Sequence, residues 1–113
     1  MFFKHKLITN KSNLLELISE CVKMKIEIVK SDYYDEDNRR KLNFGHSISH
    51  AIESCFLEKS NLSKSISSIH HGSALALGMI CETYLSYKKF KFSKSHLNAI
   101  INKISRLFPV VKY

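Results

Sequence analysis

The sequence predicts an all-α protein, a small helical bundle, on the strength of two observations. Apolar residues recur at three- and four-residue steps in four separate segments, which is the spacing of one face of an α-helix. No segment shows the strict apolar–polar alternation of a half-buried strand, and no internal repeat is present. The chain has 113 residues, 44% of them hydrophobic, with three glycines and one proline, and this composition fits one small folded domain.

The first helix is expected over residues 12–30, with Ser12 as its N-cap. Its apolar face is formed by Leu14, Ile18, Cys21, Val22 and Val29. Lys25 falls in the middle of this face. Two interpretations are open: the stem of Lys25 lies along the core while its ammonium reaches water, or the ammonium points into a cleft and binds an anion.

The second helix is expected over residues 40–56, after an acidic loop, SDYYDEDN, at residues 31–38. Polar groups follow one another at helical steps along one edge of it: Arg39, Asn43, His46 or Ser47, and His50. The apolar side is supplied by Ile48, Ala51, Ile52 and Cys55. The Ser- and Lys-rich segment 57–69 is expected to be an exposed loop.

Two further helices are expected over residues 71–89 and 93–107. In the third helix, Ala74 and Gly78 form a pair of small residues one turn apart, which allows a neighbouring helix to approach closely. The fourth helix has apolar and histidine side chains at helical steps, and Pro109 is expected to end it.

The formal charge of +8 allows nucleic acid, a membrane surface or an anionic metabolite as a partner. The lysines are scattered, however, and the basic clusters are short, so the charge favours a solvated surface over a nucleic-acid-binding face. Phosphorylated small molecules stay open as ligands. Neither nucleic acid nor a membrane is expected as a partner.

The cysteines and the hydropathy pattern indicate a cytoplasmic protein. Cys21, Cys55 and Cys81 are widely spaced and contain no C-x-x-C pair, so they are expected to be reduced, buried small hydrophobes. No run of about 18 apolar residues is present. The N-terminal MFFKHKLI is too short and too charged for a signal peptide.

The histidines are the strongest chemical signal. His46 and His50 lie one helical turn apart, and two imidazoles on one face can grip one metal ion, although the pair alone is a weak signal. A further ligand could come from His70 or His71, which precede Gly72, where backbone can approach a ligand closely. For any single histidine, a partly buried, hydrogen-bonded residue is the simpler interpretation. Together with Lys25, Arg39 and Asn43, the set suits an anionic, hydroxylated ligand beside a metal.

Two motifs carry a resemblance to a known family. The segment KIEIVKSDYYDEDNRRKLNFGHSISHAIE, followed by HGSALALGM, resembles 3-dehydroquinate synthase, of the sugar-phosphate cyclases. The family pattern is a Lys, V-V-x-x-D, an acidic residue with Gly and Arg, L-N-x-G-H-[TS]-x-G-H-A-x-E, and H-G-E-A-V-A-x-G-M. The resemblance covers almost the entire chain and implies the helical metal- and substrate-binding domain of that family. The family converts 3-deoxy-D-arabino-heptulosonate 7-phosphate to 3-dehydroquinate with loss of phosphate, using NAD and a divalent metal, usually zinc.

The resemblance assigns separate roles to the histidines. His46, the histidine of L-N-x-G-H, and His71, the histidine of H-G-E, correspond to metal ligands. His50 corresponds to a histidine that handles protons beside the substrate and does not bind the metal. His70 has no counterpart in the family pattern.

The resemblance also assigns the substrate-binding residues. Lys25, Arg39 and Asn43 fall on positions that hold the anionic and hydroxyl groups of the substrate. Asp35 falls where the family usually has a catalytic Glu, one methylene longer.

Several features of the family pattern are not found in this sequence. The third metal ligand of the family, a Glu, lies upstream of the matching stretch, as does the whole NAD-binding domain. Asp37 and Ser49 stand where the family has Gly, and Ser73 stands where it has the Glu of H-G-E. The loss of that charge is expected to weaken support for the metal site.

The expectation from these features is a single partial helical domain, residues 1–113, with its motifs in residues 21–82 and without the NAD-binding domain. As a truncated or split 3-dehydroquinate synthase it would be inactive alone, with an incomplete site for zinc or another divalent metal. Its partners would be a phosphorylated sugar-acid substrate and a separate N-terminal half or further copies of itself. The alternative is a non-catalytic helical module, derived from the family, that binds a metal or an anion.

Overall fold

A computed structural model describes residues 11–62 and 69–108 of the chain. Over these residues it contains four α-helices and one 3₁₀ helix, and no strand. The helices are α1 (Lys11–Ser31), α2 (His46–Leu62), α3 (His71–Phe90) and α4 (Lys94–Leu107), and the 3₁₀ helix is Asn38–Asn43. The predicted all-α class is therefore confirmed. The chain divides into two compact units, Met1–Leu42 and Asn43–Tyr113.

In the first unit, α1 follows the predicted helix closely, but Lys11 is already helical, so Ser12 lies inside the helix and is not its N-cap. The helix has no buried residue. Leu14, Ile18 and Val22, which form its apolar face, are each between 43% and 50% exposed. Lys25 is exposed on the same helix.

In the second unit, α2 packs on α3 and α3 packs on α4. Main-chain groups come close together where α3 meets the start of α2. A Cβ atom built on Gly78 would collide with the carbonyl oxygen of Gly45 and would lie 3.0 Å from the amide nitrogen of Ser49. Gly45 itself has φ +84°, a conformation that side chains disfavour, and a Cβ there would lie 2.8 Å from the amide nitrogen of Met79. The close approach predicted from the small residues of α3 is confirmed.

The core of the second unit is small and lies along α3. Its buried apolar residues are Ile69, Ala74, Ala76, Leu97 and Ile104. Ser49 is fully buried where α2 meets α3, and Thr83 satisfies its hydroxyl by donating to the carbonyl of Met79 at 2.7 Å. The small side chains of α3 explain how the helices come so close.

A tight connection links α3 to α4. Lys91 adopts a left-handed conformation at φ 51° and its N–H donates to the carbonyl of Tyr87, which closes the end of α3. Ser93 is the N-cap of α4, accepting from the N–H of His96 at 3.3 Å. Both helices lie within one residue of their predicted bounds. Pro109, predicted to end α4, lies outside the described residues.

The predicted second helix was wrong in its extent. The polar strip expected on one helix is divided, because Gly45 takes a left-handed conformation that ends the 3₁₀ helix Asn38–Asn43 and α2 begins only at His46. Arg39 and Asn43 therefore do not share a helix with the histidines. At the other end, α2 continues to Leu62, so residues 57–62 are helical and not a loop, and the rest of that predicted loop up to residue 68 lies outside the described part of the chain.

The cysteines were wrongly expected to be buried. Cys21, Cys55 and Cys81 are free thiols, as predicted, but all three are exposed on helix surfaces. Cys21 lies on α1, which has no buried residue, and Cys55 and Cys81 lie outside the glycine and serine contact of α2 with α3. Among the described helices, none is long and apolar enough to cross a membrane.

Candidate functional site

The loop that follows α1 is organised by a carboxylate that the sequence analysis did not single out, that of Asp32. Its Oδ1 accepts from the N–H of Glu36 at 3.0 Å, and its Oδ2 accepts from the N–H groups of Asp37 at 2.8 Å and Arg39 at 2.9 Å. These donors, that of Arg39 first, stabilise the charged carboxylate and lower the pKa of Asp32 below its ordinary value.

This loop carries two of the predicted substrate or catalytic residues, Asp35 and Arg39. Arg39 is half-buried, and its Nη1 donates to the carbonyl of Tyr33 at 3.0 Å. Asp35 has φ 60°, in the left-handed region, and the Nε of Arg40 donates to its carbonyl at 3.1 Å. The Oδ1 of Asp35 is buried and has no hydrogen-bond partner among the described residues. The loop therefore presents a guanidinium and a carboxyl on a backbone fixed by hydrogen bonds.

In the second unit, three of the predicted residues come together in a histidine cluster, which consists of His46, His50 and His71. The ring centroids of His46 lie 6.0 Å from those of His50 and of His71, and the rings of His50 and His71 are 6.4 Å apart. The first two rings come from α2 and the third from the first residue of α3. Asn43, the last residue of the 3₁₀ helix, is exposed.

A second carboxylate joins this cluster, that of Glu53, which is the Glu of the family pattern H-A-x-E but received no role in the sequence analysis. Its Oε1 lies 2.9 Å from Nδ1 of His71, and its Oε2 lies 3.7 Å from Nδ1 of His50. The hydroxyl of Ser49 donates to Oε2 at 3.5 Å, a long hydrogen bond. The helical steps from His46 to His50 and on to Glu53, four residues and then three, were a signal that could have placed this side chain on the same face.

A third carboxylate holds the start of α2 in place. The N–H of Gly45 donates to Oε2 of Glu82, on α3, at 2.7 Å. The first N–H groups of a helix have no partner within the helix, and a negative charge beside them is favourable. Glu82 therefore fixes the backbone immediately before His46. No motif in the sequence pointed to this contact between residues 37 positions apart.

The other residues around the second motif have modest roles. His70 is the N-cap of α3 through its backbone only, since its carbonyl accepts from the N–H groups of Ser73 and Ala74. Gly72 is not demanded by the fold, because a Cβ there would meet no atom within 4 Å.

The fit of a metal ion to these residues is partial. Over residues 11–62 and 69–108, no group of three His, Cys, Asp or Glu side chains converges as a metal ion requires. Two imidazoles bound to one tetrahedral zinc through bonds of about 2.1 Å have their ring centroids roughly 5–6 Å apart. The ring of His46 approaches this spacing, at 6.0 Å, with both His50 and His71. Nδ1 of His46 is buried without a partner in the described chain, as expected of a nitrogen awaiting a ligand. The chain's own histidines thus fit two positions of a metal site.

NAD is a different case. The described residues are helical and contain none of the strand-and-glycine-turn units that bind dinucleotides. No reaction step involving NAD can be derived from them.

Comparison with known proteins gives the family. A family model described as 3-dehydroquinate synthase C-terminal matches residues 3–112. The 3-dehydroquinate synthase of Parabacteroides distasonis is 35% identical over 102 residues, covering 90% of this chain and 27% of the relative. That of Streptococcus pyogenes serotype M49 is 33% identical over 99 residues, covering 87% and 25%. That of Buchnera aphidicola subsp. Cinara cedri is 34% identical over 102 residues, covering 89% and 26%.

The chain spans about a quarter of the length of these relatives. No solved structure matches it. The matched region contains both histidine motifs and all four helices, so the resemblance in the motifs, the helical fold and the family model agree. The chain belongs to the family of 3-dehydroquinate synthase C-terminal domains.

Proposed function

We propose that the chain is the metal- and substrate-binding part of a 3-dehydroquinate synthase. The reaction is the conversion of 3-deoxy-D-arabino-heptulosonate 7-phosphate to 3-dehydroquinate with loss of phosphate, a step of aromatic amino acid biosynthesis. The observation that supports this proposal is the histidine cluster. Three imidazoles from two separate motifs lie with their ring centroids 6.0 to 6.4 Å apart.

In this proposal, His46 and His71 hold a divalent cation, zinc or a similar metal, whose further ligand is not among the described residues. When bound, such an ion supplies Lewis-acid polarisation of a substrate hydroxyl. His50 stays free of the ion and exchanges protons with the substrate. Its Nδ1 lies 3.7 Å from Oε2 of Glu53, on the same helix.

Lys25, Arg39 and Asn43 bind the anionic and hydroxyl groups of the substrate in this proposal. A guanidinium suits a phosphate or carboxylate because its planar N–H groups can donate in pairs. One Nη1 hydrogen bond to the carbonyl of Tyr33 orients Arg39, and a guanidinium carries further N–H donors that a ligand can use. Asp35, whose Oδ1 is buried without a partner, takes the place of the catalytic Glu of the family.

The proposal makes turnover depend on a nucleotide-binding part that works with this chain. We expect the purified chain alone to show no NAD-dependent release of phosphate. Activity should appear when the chain is co-expressed with residues of the Parabacteroides distasonis relative that precede its matching region. The measurement is phosphate release with zinc and NAD present. The same mixture with His46→Ala is the control and should stay inactive.

The second candidate function is a helical module that binds a metal without catalysis. It is favoured by one observation, that the histidine cluster and Glu53 lie entirely within the second unit. Zinc binding with no activity in any mixture, across a range of metal and protein concentrations, would favour this module over the enzyme.

A further inference from the structure

We propose that Glu53 is the positioning residue of the histidine cluster: its carboxylate fixes the tautomer of His71 so that Nε2 is the nitrogen left to bind a cation. This inference rests on the proposed metal role of His46 and His71. It concerns a residue to which neither the motif comparison nor the family match assigns a role.

The first step of the argument is the hydrogen bond between the two helices. Oε1 of Glu53 lies 2.9 Å from Nδ1 of His71, which is 18 residues away in the sequence. A carboxylate only accepts hydrogen bonds, so the proton of this bond must be on Nδ1. In a neutral imidazole the lone pair is then on Nε2. The bond thereby decides which nitrogen of His71 can coordinate a cation.

The second step is that the side chain of Glu53 is less exposed to solvent than that of His71. The side chain of Glu53 is 28% exposed, and that of His71 is 55% exposed. The hydroxyl of the fully buried Ser49 lies 3.5 Å from Oε2 of Glu53. A half-buried carboxylate on α2 therefore orients a more exposed ring at the start of α3. Carboxylates that accept from the outer nitrogen of a metal-binding histidine fix its orientation and raise its basicity.

The third step separates a positioning role from that of a metal ligand. Oε1 of Glu53 is occupied by the hydrogen bond to His71, and Oε2 faces Ser49 and His50. In the described chain, no three ligand-type side chains converge on one point. Glu53 thus acts on the cation through His71. It also supplies a negative charge beside a motif in which Ser73 stands where the family has Glu.

The first experiment needs no metal. Long-range ¹H–¹⁵N NMR spectra of the histidine rings, recorded on the full chain at about pH 8 where imidazoles are mainly neutral, report the tautomer of each ring. We expect the Nδ1–H tautomer for His71, and a shift toward Nε2–H in Glu53→Ala. Glu58→Ala removes a carboxylate from an exposed position of the same helix and is the matched control, which should leave His71 unchanged.

The second experiment is a calorimetric titration with zinc. Glu53→Ala should weaken zinc binding by about 10- to 100-fold, the range for residues that support a metal-binding histidine. Glu53→Gln keeps an acceptor oxygen and the size of the side chain, so its affinity should lie between those of the wild type and Glu53→Ala. If circular dichroism shows that Glu53→Ala does not fold, Glu53→Gln is used in its place.

The outcomes separate this inference from the function on which it rests. The positioning role is overturned if His71 is the Nε2–H tautomer in the wild type. It is also overturned if the tautomer of His71 does not change in Glu53→Ala. Both results are independent of metal binding. A loss of zinc affinity in Glu53→Ala as large as that in His71→Ala also overturns the positioning role, because Glu53 would then be a ligand. If His46→Ala and His71→Ala leave zinc affinity unchanged, the proposed metal site is wrong even where the tautomer result stands.

Discussion

Three acidic side chains of this molecule hold the backbone or a histidine ring in place by accepting hydrogen bonds from N–H groups. Asp32 accepts from three backbone amides of its own loop, Glu82 from the amide of Gly45, and Glu53 lies against a ring nitrogen of His71. Asp32 and Glu53 contact Arg39 and His71, which the family resemblance marks as functional, and Glu82 contacts the residue before His46. At the scale of single residues, negatively charged side chains in this chain fix the positions of a loop, a helix start and a histidine ring.

The carboxyl of Asp32 makes stability depend on acid pH. Its pKa is lower in the folded chain, because backbone amides donate to the charged form, that of Arg39 first. The unfolded chain, with an Asp pKa of about 3.9, therefore binds more protons in the interval between the two values. The contribution is complete above about pH 4 and is lost as the pH falls through the folded value. We expect Asp32→Asn to flatten the rise of Tm with pH in this interval, measured by circular dichroism.

Asp37→Asn is the matched control for that variant, because the carboxyl of Asp37 is exposed on the same loop. It should retain the slope of the wild type. Equal flattening in the two variants would show that the acid dependence comes from the charge of the loop as a whole and not from the hydrogen bonds to Asp32.

Zinc titration should separate the two histidines proposed to bind a metal from the third. We expect His46→Ala and His71→Ala to weaken zinc binding more strongly than His50→Ala, because only the first two fall on ligand positions of the family motifs. Calorimetry on the three variants gives the comparison. Equal losses would refute the assignment and would favour a site made by all three rings of the histidine cluster.

At the scale of helices, the contact of α2 with α3 is the critical element. Gly78→Ala would drive a methyl group into the carbonyl of Gly45 and toward the amide of Ser49, and neither backbone group can rotate away as a side chain would. We expect a loss of about 1–3 kcal/mol in the free energy of unfolding, the usual cost of overpacking, measured by urea denaturation. Zinc affinity should fall in the same variant, since the crossing places His46 and His71.

Gly72→Ala is the control on the same helix. A Cβ there meets open space, and alanine is the better helix former by about 1 kcal/mol or less, so this variant should be as stable as the wild type or slightly more stable. A similar loss of stability in both variants would mean that helix propensity, and not the crossing, determines the result for Gly78.

The sequence was sufficient for the helices whose patterns are long and regular. The bounds of α1, α3 and α4 agree with the apolar periodicity within a residue or so. The second helix was placed incorrectly because periodicity cannot reveal the left-handed turn at Gly45, where α3 approaches too closely for a side chain. Apolar periodicity also says nothing of how deeply a face is buried, so the cysteines were misjudged.

The site was predictable only as far as the motifs reach. They brought forward His46, His50 and His71, and the structure brings these three rings together. Glu82 could not be found from the sequence, because its contact joins positions 37 residues apart and depends on the helix crossing. The roles of the individual residues stay predictions until the variants are measured.

At the scale of the whole molecule, the formal charge of +8 raises the question of nucleic-acid binding. The basic residues are distributed along the chain, so no dense basic face is predicted, and we expect no salt-dependent association with duplex DNA or RNA at about 0.15 M salt. Fluorescence anisotropy with labelled duplexes tests this. A steep decrease of affinity with rising salt would contradict it and would restore nucleic acid as a candidate partner.

The touching backbones of Gly45 and Gly78 have one more consequence, which concerns precision. His46 follows the first glycine directly, and His71 precedes the second by seven residues, about two helical turns. The distance between the two rings is thus set by contact between rigid peptide planes, which cannot adjust by changing rotamers as side chains do. Side chains on much of the helix surface can therefore be substituted without altering the distance between the two rings. A single carbon atom added at Gly45 or Gly78 would change that distance.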